Sequence, residues 1–384
     1  MTVAPRFDFD APIDRRNSDS EKWDKYQGRD IIPLWVADMD FRSPPAVIDA
    51  LHERVSHGVF GYTHPSEALT AAVLDHLDRD FGWQAEQEWI VWLPGLVCGL
   101  NVICRAMGTA GDAVATFVPV YPPFLSAPPL SQRTLITAPL HVRDGRWVPD
   151  MEAMERSVTP LTRLLLLCNP HNPAGRVWSR EELLRFAELA ERHDLVIGSD
   201  EIHAGLILDA DMRHCPMAAL SPDISRRTIT LLAPSKTYNI PGLGCSFAVI
   251  SDPGLRRDFR KAMGRIVPHV NIFGYTAALA AYRDGEAWRR ELIAYLRGNR
   301  DLVAGEIARM PGLSMTPVEA TYLAWIDARG TGIEQPARFF EEAGVGLSDG
   351  NDFGAPGFVR LNFGCRRELL GEALGRMARA LTRR

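Results

Sequence analysis

The chain has 384 residues, of which 46% are apolar and 24% charged, and its formal net charge is −5. This is enough chain for two or three lobes with ample cores, and the composition is ordinary for a soluble globular protein. The mild acidity provides no basic field for nucleic acid or an anionic membrane, and no uncharged apolar run reaches the roughly 18 residues of a transmembrane helix.

The first ten residues, Met1 to Asp10, show no basic segment followed by an apolar one, so no secretory leader is expected. Residues 1–45 are polar, carry several prolines and have little periodicity, which predicts an arm lying over the body or over a partner. Pro44-Pro45 opens a helix that runs through His52. A second, amphipathic helix spans Ser66 to Phe81, with Leu69, Val73, Leu74 and Leu77 on one face. From about 88 to 250, short apolar strands alternate with helices. Strands are predicted at Trp89–Leu93, Ala113–Val118, Arg163–Leu167, Leu195–Gly198, Thr228–Leu232 and Ser246–Ile250. Helices are predicted over Leu96–Met107 and from a Ser179 cap through Arg192, where Glu182 completes a capping box. Arg256 to Lys261 is locally basic and reads as a solvated helix face. A helical stretch over 274–310 is broken near Asp284-Gly285. It is followed by strand 321–326, helix 335–343, strand 358–362 and helix 367–382. The pattern predicts an α/β fold with a mostly parallel sheet covered by helices on both faces, and a smaller α/β lobe at the C-terminus. The six cysteines form no Cys-x-x-Cys pair and no zinc-spaced cluster. No metal is expected, and free thiols in the cytoplasm are the simplest setting.

The chemistry gathers at strand ends. Lys236 follows Thr228–Leu232 in the turn Ala-Pro-Ser-Lys-Thr-Tyr-Asn-Ile-Pro-Gly-Leu, Asp200 closes Leu195–Ser199, and Asn172 follows Arg163–Leu167 in Asn-Pro-His-Asn-Pro. A lone loop lysine is ordinarily a solvated surface residue. This one is delivered by a strand to the edge where open α/β sheets bind ligands, together with a carboxylate and an amide. An amine, an acid and an amide suit a planar cofactor that binds lysine as a Schiff base and needs an acidic partner for its pyridinium nitrogen, namely pyridoxal phosphate. Ser235 could donate to the phosphate, or it could simply stabilise the turn. His203 and Asn172 are candidate partners of the ring's phenolic oxygen, and the Asn172–Pro173 bond is a candidate for the cis form. The amides of Leu96, Val97 and Cys98, after Pro94-Gly95, form a candidate anion site at a helix start. Tyr121 could stack on the ring. Arg360 is a charge inside an apolar strand and requires a carboxylate, from either a structural partner or a substrate.

Together these residues resemble a fold-type I pyridoxal-phosphate enzyme of the class I/II aminotransferase superfamily. The resemblance covers nearly the whole chain. Trp-Val-Ala-Asp-Met-Asp-Phe (35–41), Gly-Tyr-Thr (61–63), Tyr-Pro-Pro-Phe (121–124), Asn-Pro-His-Asn-Pro (169–173), Ser-Asp-Glu-Ile-His (199–203) and Ser-Lys-Thr-Tyr-Asn-Ile-Pro-Gly-Leu (235–243) are similar to the MalY/PatB group of carbon–sulfur β-lyases, the cystathionine β-lyase type. The resemblance implies an aspartate-aminotransferase-like fold with a seven-stranded sheet. Its implied division is an N-terminal arm with part of the small domain (1–45), a large cofactor-binding domain (46–283) and a small domain (284–384). It further implies that Lys236 binds the cofactor and shuttles protons, Asp200 pairs with the pyridinium nitrogen, Asn172 meets the phenolic oxygen and Tyr121 stacks on the ring. Arg360, assisted by the Ala37 backbone, would bind the substrate carboxylate. Tyr62 would reach the phosphate from the neighbouring subunit of a homodimer. Three positions depart from typical transaminases: Gly244 and Ala233 stand where arginine and serine are common, and His203 replaces a tyrosine.

The expected activity is β-elimination of L-cystathionine or other S-substituted L-cysteines to a thiol, pyruvate and ammonia. Three alternatives remain open at this stage. They are an aminotransferase using the same residues, a specialised S-conjugate lyase or oxidative deaminase of natural-product assembly, and a protein whose main role is to bind a regulator.

Overall fold

The computed structural model describes residues 7–383. Its centre is an eight-stranded sheet: β1 (Ile90–Leu93), β2 (Ala113–Val118), β3 (Thr134–Arg143), β4 (Arg146–Pro149), β5 (Thr162–Cys168), β6 (Val196–Asp200), β7 (Thr228–Leu232) and β8 (Ser246–Val249), in the order β1-β8-β7-β6-β5-β2-β3-β4. The pairs β7–β6, β6–β5, β5–β2 and β2–β3 are parallel, while β8 and β4 run antiparallel to their neighbours. Six of these strands lie where the sequence predicts them, β3 was not predicted, and the sheet has eight strands where the resemblance implies seven. The eighth, β4, comes from a hairpin turn at Asp144-Gly145, both at positive φ. That dipeptide is a strong hairpin signal, but the sequence reading assigned no element there.

Both faces of the sheet are buried, so its strands read as apolar runs rather than alternating patterns. Along β5, Leu164 and Leu166 join one core with Leu100, Ile103, Phe124 and Phe259, whereas Leu165 and Leu167 join another with Leu183 and Phe186. Helix Leu96–Ala106 packs on the first face and helix Arg180–Arg192 on the second. The Ser179–Glu182 capping box is present. Helix Pro122–Leu130 was not expected, because its prolines argue against a helix. Two of them fill its first positions, where a missing N–H costs nothing, and Pro128 and Pro129 lie at its end. The basic segment forms helix Pro253–Met263 as expected, but Arg256 is not on its solvated face. It is buried and donates to the Ile250 and Ser251 carbonyls.

The long C-terminal helical stretch divides into Ile272–Asp284 and Glu286–Ile307, breaking at Gly285. Beyond it, Leu323–Asp327, Phe358–Asn362 and two short strands form a four-stranded antiparallel sheet, which helix Arg367–Thr382 follows. The N-terminal segment joins this lobe, since Ile32–Pro33 pairs in parallel with Val345–Gly346. Residues 1–6 of the expected arm lie outside the described residues.

One buried ionic knot ties the two parts together. Arg176 bonds Glu319 at 3.1 Å and Glu182 at 2.7 Å, and Glu319 also binds Arg146 at 2.7 Å and the Val177 amide at 2.8 Å. Gly175, at φ +67°, accepts the Glu319 and Ala320 amides, and a Cβ there would meet Val318 at 2.8 Å. Arg176→Met would leave Glu319 buried with only Arg146 to balance it. The expected loss is roughly 3 kcal/mol in a urea titration, and an unchanged unfolding midpoint would show that the knot carries no stability.

Candidate active site

The parallel strands deliver their C-terminal ends to one edge. In register, Cys168 lies beside Asp200 and Asp200 beside Leu231. Asn172 sits just past β5, in a loop with cis bonds at Asn169–Pro170 and Asn172–Pro173. Lys236 sits just past β7 in a tight turn closed by Tyr238 N to Pro234 O (2.9 Å) and Ile240 N to Ser235 O (3.0 Å). Tyr121 caps helix Pro122–Leu130 just past β2.

The segment 35–41 closes the site over Lys236. The Lys236 amine donates to the Ala37 carbonyl at 2.5 Å, and the buried Tyr322 hydroxyl donates to the same oxygen at 2.8 Å. Asn362 Nδ2 holds the flanking Val36 and Asp38 carbonyls at 2.6 and 2.7 Å. Asn239, in the left-handed region at φ +54°, exchanges hydrogen bonds with both Met39 backbone groups and donates to Phe41 O. Behind this segment, Asp40 binds Lys22 at 2.8 Å, Trp23 Nε1 at 2.9 Å and Arg15 at 2.6 Å, while Arg15 also binds Asp38 at 2.6 Å. Sequence reasoning gave Ala37 only an auxiliary part and missed Tyr322, Asn239 and Asn362. Asparagine is tolerant of positive φ, so Asn239 in its Lys-Thr-Tyr-Asn turn carried a local signal. Tyr322 and Asn362 act across more than 280 residues and carried none.

The charges here lack ordinary partners. Asp200 is buried and accepts one hydrogen bond, from the Ile202 amide at 3.1 Å. Burial pushes its carboxyl up to about 7, aided by Glu201 and opposed by that amide and by Lys236. Burial pulls the Lys236 amine down to about 8, opposed chiefly by Asp38. Burial, with the Lys236 and Arg360 charges, pushes His203 down to about 3, so its ring is neutral, and its Nδ1 has no partner. Arg360 is only 4% exposed. It donates to Asn172 Oδ1 (3.0 Å), Trp35 O (2.9 Å) and Ser348 Oγ (3.2 Å), lies over the Phe353 ring, and meets no carboxylate among the described residues. Burial pulls its guanidinium down to about 10.

At the other end of the site, Gly95 is extended (φ −179°) and offers no side-chain cap to helix Leu96–Ala106. Among the described residues, the Leu96, Val97 and Cys98 amides of this first turn and the Ser235 hydroxyl have no hydrogen-bond partner. Gly244 sits at φ +60°, a conformation that strains any side chain, and a Cβ there would stand 3.1 Å from the Pro94 carbonyl, so glycine suits the position better than arginine. Lys236, Asp200, His203, Asn172, Tyr121, Arg360 and Ala37 are thus brought together at the C-terminal edge of the large sheet. Tyr62 does not join them within this chain. It is fully exposed and contacts none of the others.

The family described as aminotransferase class I and II matches residues 29–377. Cystathionine beta-lyase PatB of Bacillus subtilis (strain 168) is 38% identical, the match covering 97% of this chain and 100% of that protein. The crystal structure of OvoB superposes with a TM-score of 0.96 at 50% identity, covering 98% of this chain and 99% of that one. The PLP-bound C-S lyase from Staphylococcus hominis, complexed with L-cycloserine, has a TM-score of 0.93 at 30% identity, covering 98% and 99%.

The unfolded chain holds the Lys236 proton up to about 10.5 and the folded chain only to about 8, so the charged amine costs stability below pH 8 and the cost fades between these values. Lys236→Met should therefore raise the melting temperature of the cofactor-free protein at pH 7, with the advantage shrinking as pH rises above 8. Melting curves across that range check this, and a pH-independent difference would contradict it.

Proposed function

This chain belongs to the aminotransferase class I and II family, and from that premise we propose that it is a pyridoxal-phosphate-dependent carbon–sulfur β-lyase acting on S-substituted L-cysteines such as L-cystathionine. The observation that carries the reading is a lysine amine brought near neutrality beside an unpaired buried carboxyl and an arginine without a carboxylate. This set fits the cofactor. A protonated ring nitrogen would give Asp200 the cation it lacks, and an amino-acid carboxylate would give one to Arg360.

Bound here, pyridoxal phosphate would supply an aldehyde for the substrate amine and a ring able to store the electron pair left at Cα. Lys236 and Asp200 would hold its two ends, with Asn172 and His203 at the phenolic oxygen and Tyr121 against the ring. The Leu96, Val97 and Cys98 amides and Ser235 would hold the phosphate, as a helix start does for anions. Arg360 orients the substrate through two parallel hydrogen bonds to its carboxylate. Lys236, whose proton affinity lies close to neutral, takes the Cα proton and can return it. The Cβ–S bond breaks with its electron pair leaving on sulfur, and one water completes the balance to thiol, pyruvate and ammonia. The lyase assignment is supported by the names of the similar proteins, PatB and the C-S lyase.

The working unit in this reading is a homodimer. Val55, Val59, Phe60 and Tyr62 expose an apolar run, and Val97 is exposed at the anion-binding helix start. A second copy would cover this surface and let Tyr62 reach the partner's phosphate site. The division proposed is an arm with part of the small domain (1–45), a large domain (46–283) and a small domain (284–384). Six unpaired thiols suit the cytoplasm, and no helix among the described residues is long and apolar enough to cross a membrane.

With S-methylcysteine and no keto acid, continuous release of pyruvate and thiol is expected, and arrest after one turnover would make the protein a transaminase. Lys236→Ala should lose both this activity and the visible band of the lysine-bound cofactor. Arg360→Lys keeps the charge but loses the planar fork. It should lower kcat/KM by roughly 100-fold, mainly through KM, and an unchanged KM would remove Arg360 from the substrate site.

A further inference from the structure

Directly behind Asp200 lies a second buried carboxylate that the reaction above does not use. Glu201 is completely buried. It accepts from Ser199 Oγ at 2.7 Å and the Met217 amide at 2.9 Å, and it pairs with His214 Nε2 at 2.7 Å. His214 is buried as well, with its ring edge against Phe81 and its Nδ1 without a partner. The next residue, Cys215, accepts from Asn169 Nδ2 at 3.1 Å, and the Asn169 amide donates to Asp200 O at 2.9 Å. One carboxylate therefore joins the strand end bearing Asp200 to the loop 214–217, and Asn169, at the base of the loop that carries Asn172, bonds to both of these segments.

A buried carboxylate raises the proton affinity of an acid beside it. The charged and titratable groups acting on Asp200 are Glu201 from its own strand and Lys236 from the turn after β7, with the Cys168 thiol and Tyr121 also in range. Those around Glu201 are Asp200, His214 and the Cys215 thiol, with Arg180 reaching that thiol. We propose that Glu201, held by His214, is a positioning residue for Asp200: it keeps Asp200 ready for a proton-bearing partner and fixes the Asn172 loop against the same strand end. That the partner is the cofactor's ring nitrogen rests on the function proposed above.

The test begins with the cofactor-free protein. Folded Asp200 yields its proton near 7 and the unfolded chain near 3.8, so its ionised form costs stability above pH 7. Asp200→Asn should therefore raise the melting temperature at pH 8, and in a Glu201→Gln background the gain should be measurably smaller, burial supplying the rest. Equal gains in the two backgrounds would make Glu201 merely structural and overturn the proposal. In the holoenzyme, the pH midpoint of the visible cofactor band should move down in Glu201→Gln and stay put in Ser199→Ala, which loses a hydrogen bond but no charge. A midpoint unmoved in Glu201→Gln would equally overturn it. Should Glu201→Gln not fold, His214→Gln replaces it in both measurements. Glutamine there replaces the imidazole that pairs with Glu201 and disturbs its placement, so the gain and the midpoint should both differ from those of the unaltered protein, and no change overturns the proposal. The cofactor-free cycle does not depend on the cofactor, so failure of the functional reading would appear in the holoenzyme alone.

Discussion

The structure turns on buried charge left without its counter-charge. Asp200 and Lys236, at one edge of the large sheet, and Arg360, brought over them by the C-terminal lobe, are all buried, and none is neutralised by a bonded partner of opposite sign. Burying ionisable groups this way is unfavourable and shifts each toward its neutral form. A fold tolerates such an arrangement where a ligand supplies the missing charges, and the shifted proton affinities then belong to the chemistry.

Holding such groups in place requires a rigid surround. The Ala37 carbonyl illustrates this: Lys236 and Tyr322 both donate to it, and Asn362 fixes the peptide groups on either side. Asn239 then fastens the lysine turn to the same segment. The Arg176–Glu319 knot holds the base of the Asn172 loop to the C-terminal lobe. Arg360, from that lobe, donates to Asn172. The site is thus assembled from both parts of the chain, which is the arrangement expected of a preorganised centre.

The anion end follows a different logic. With Gly244 at positive φ and Pro94 O close to its Cβ direction, no side-chain cation comes from that position. In the function proposed, the phosphate load falls on the Leu96, Val97 and Cys98 amides and on Ser235.

Much of this was legible in the chain itself. Apolar runs ending in Asp200, Lys236 and the Asn-Pro-His-Asn-Pro loop located the strand ends, and helix boundaries at Ser66, Ser179 and Gly285 followed from caps and breakers, because these are local effects of a few residues. The helix hidden among the prolines after Tyr121 and the burial of Arg256 were not legible, because packing against the sheet overrides local preference there. Nor were the grip of Tyr322 and Asn362 on segment 36–38 and the Glu201–His214 knot behind Asp200. Sequence determined that an amine, an acid and an amide stand at neighbouring strand ends, since residue type and strand position suffice for that. Tertiary structure alone decided their protonation and orientation, because desolvation and long-range hydrogen bonds exist only once distant segments have closed around them.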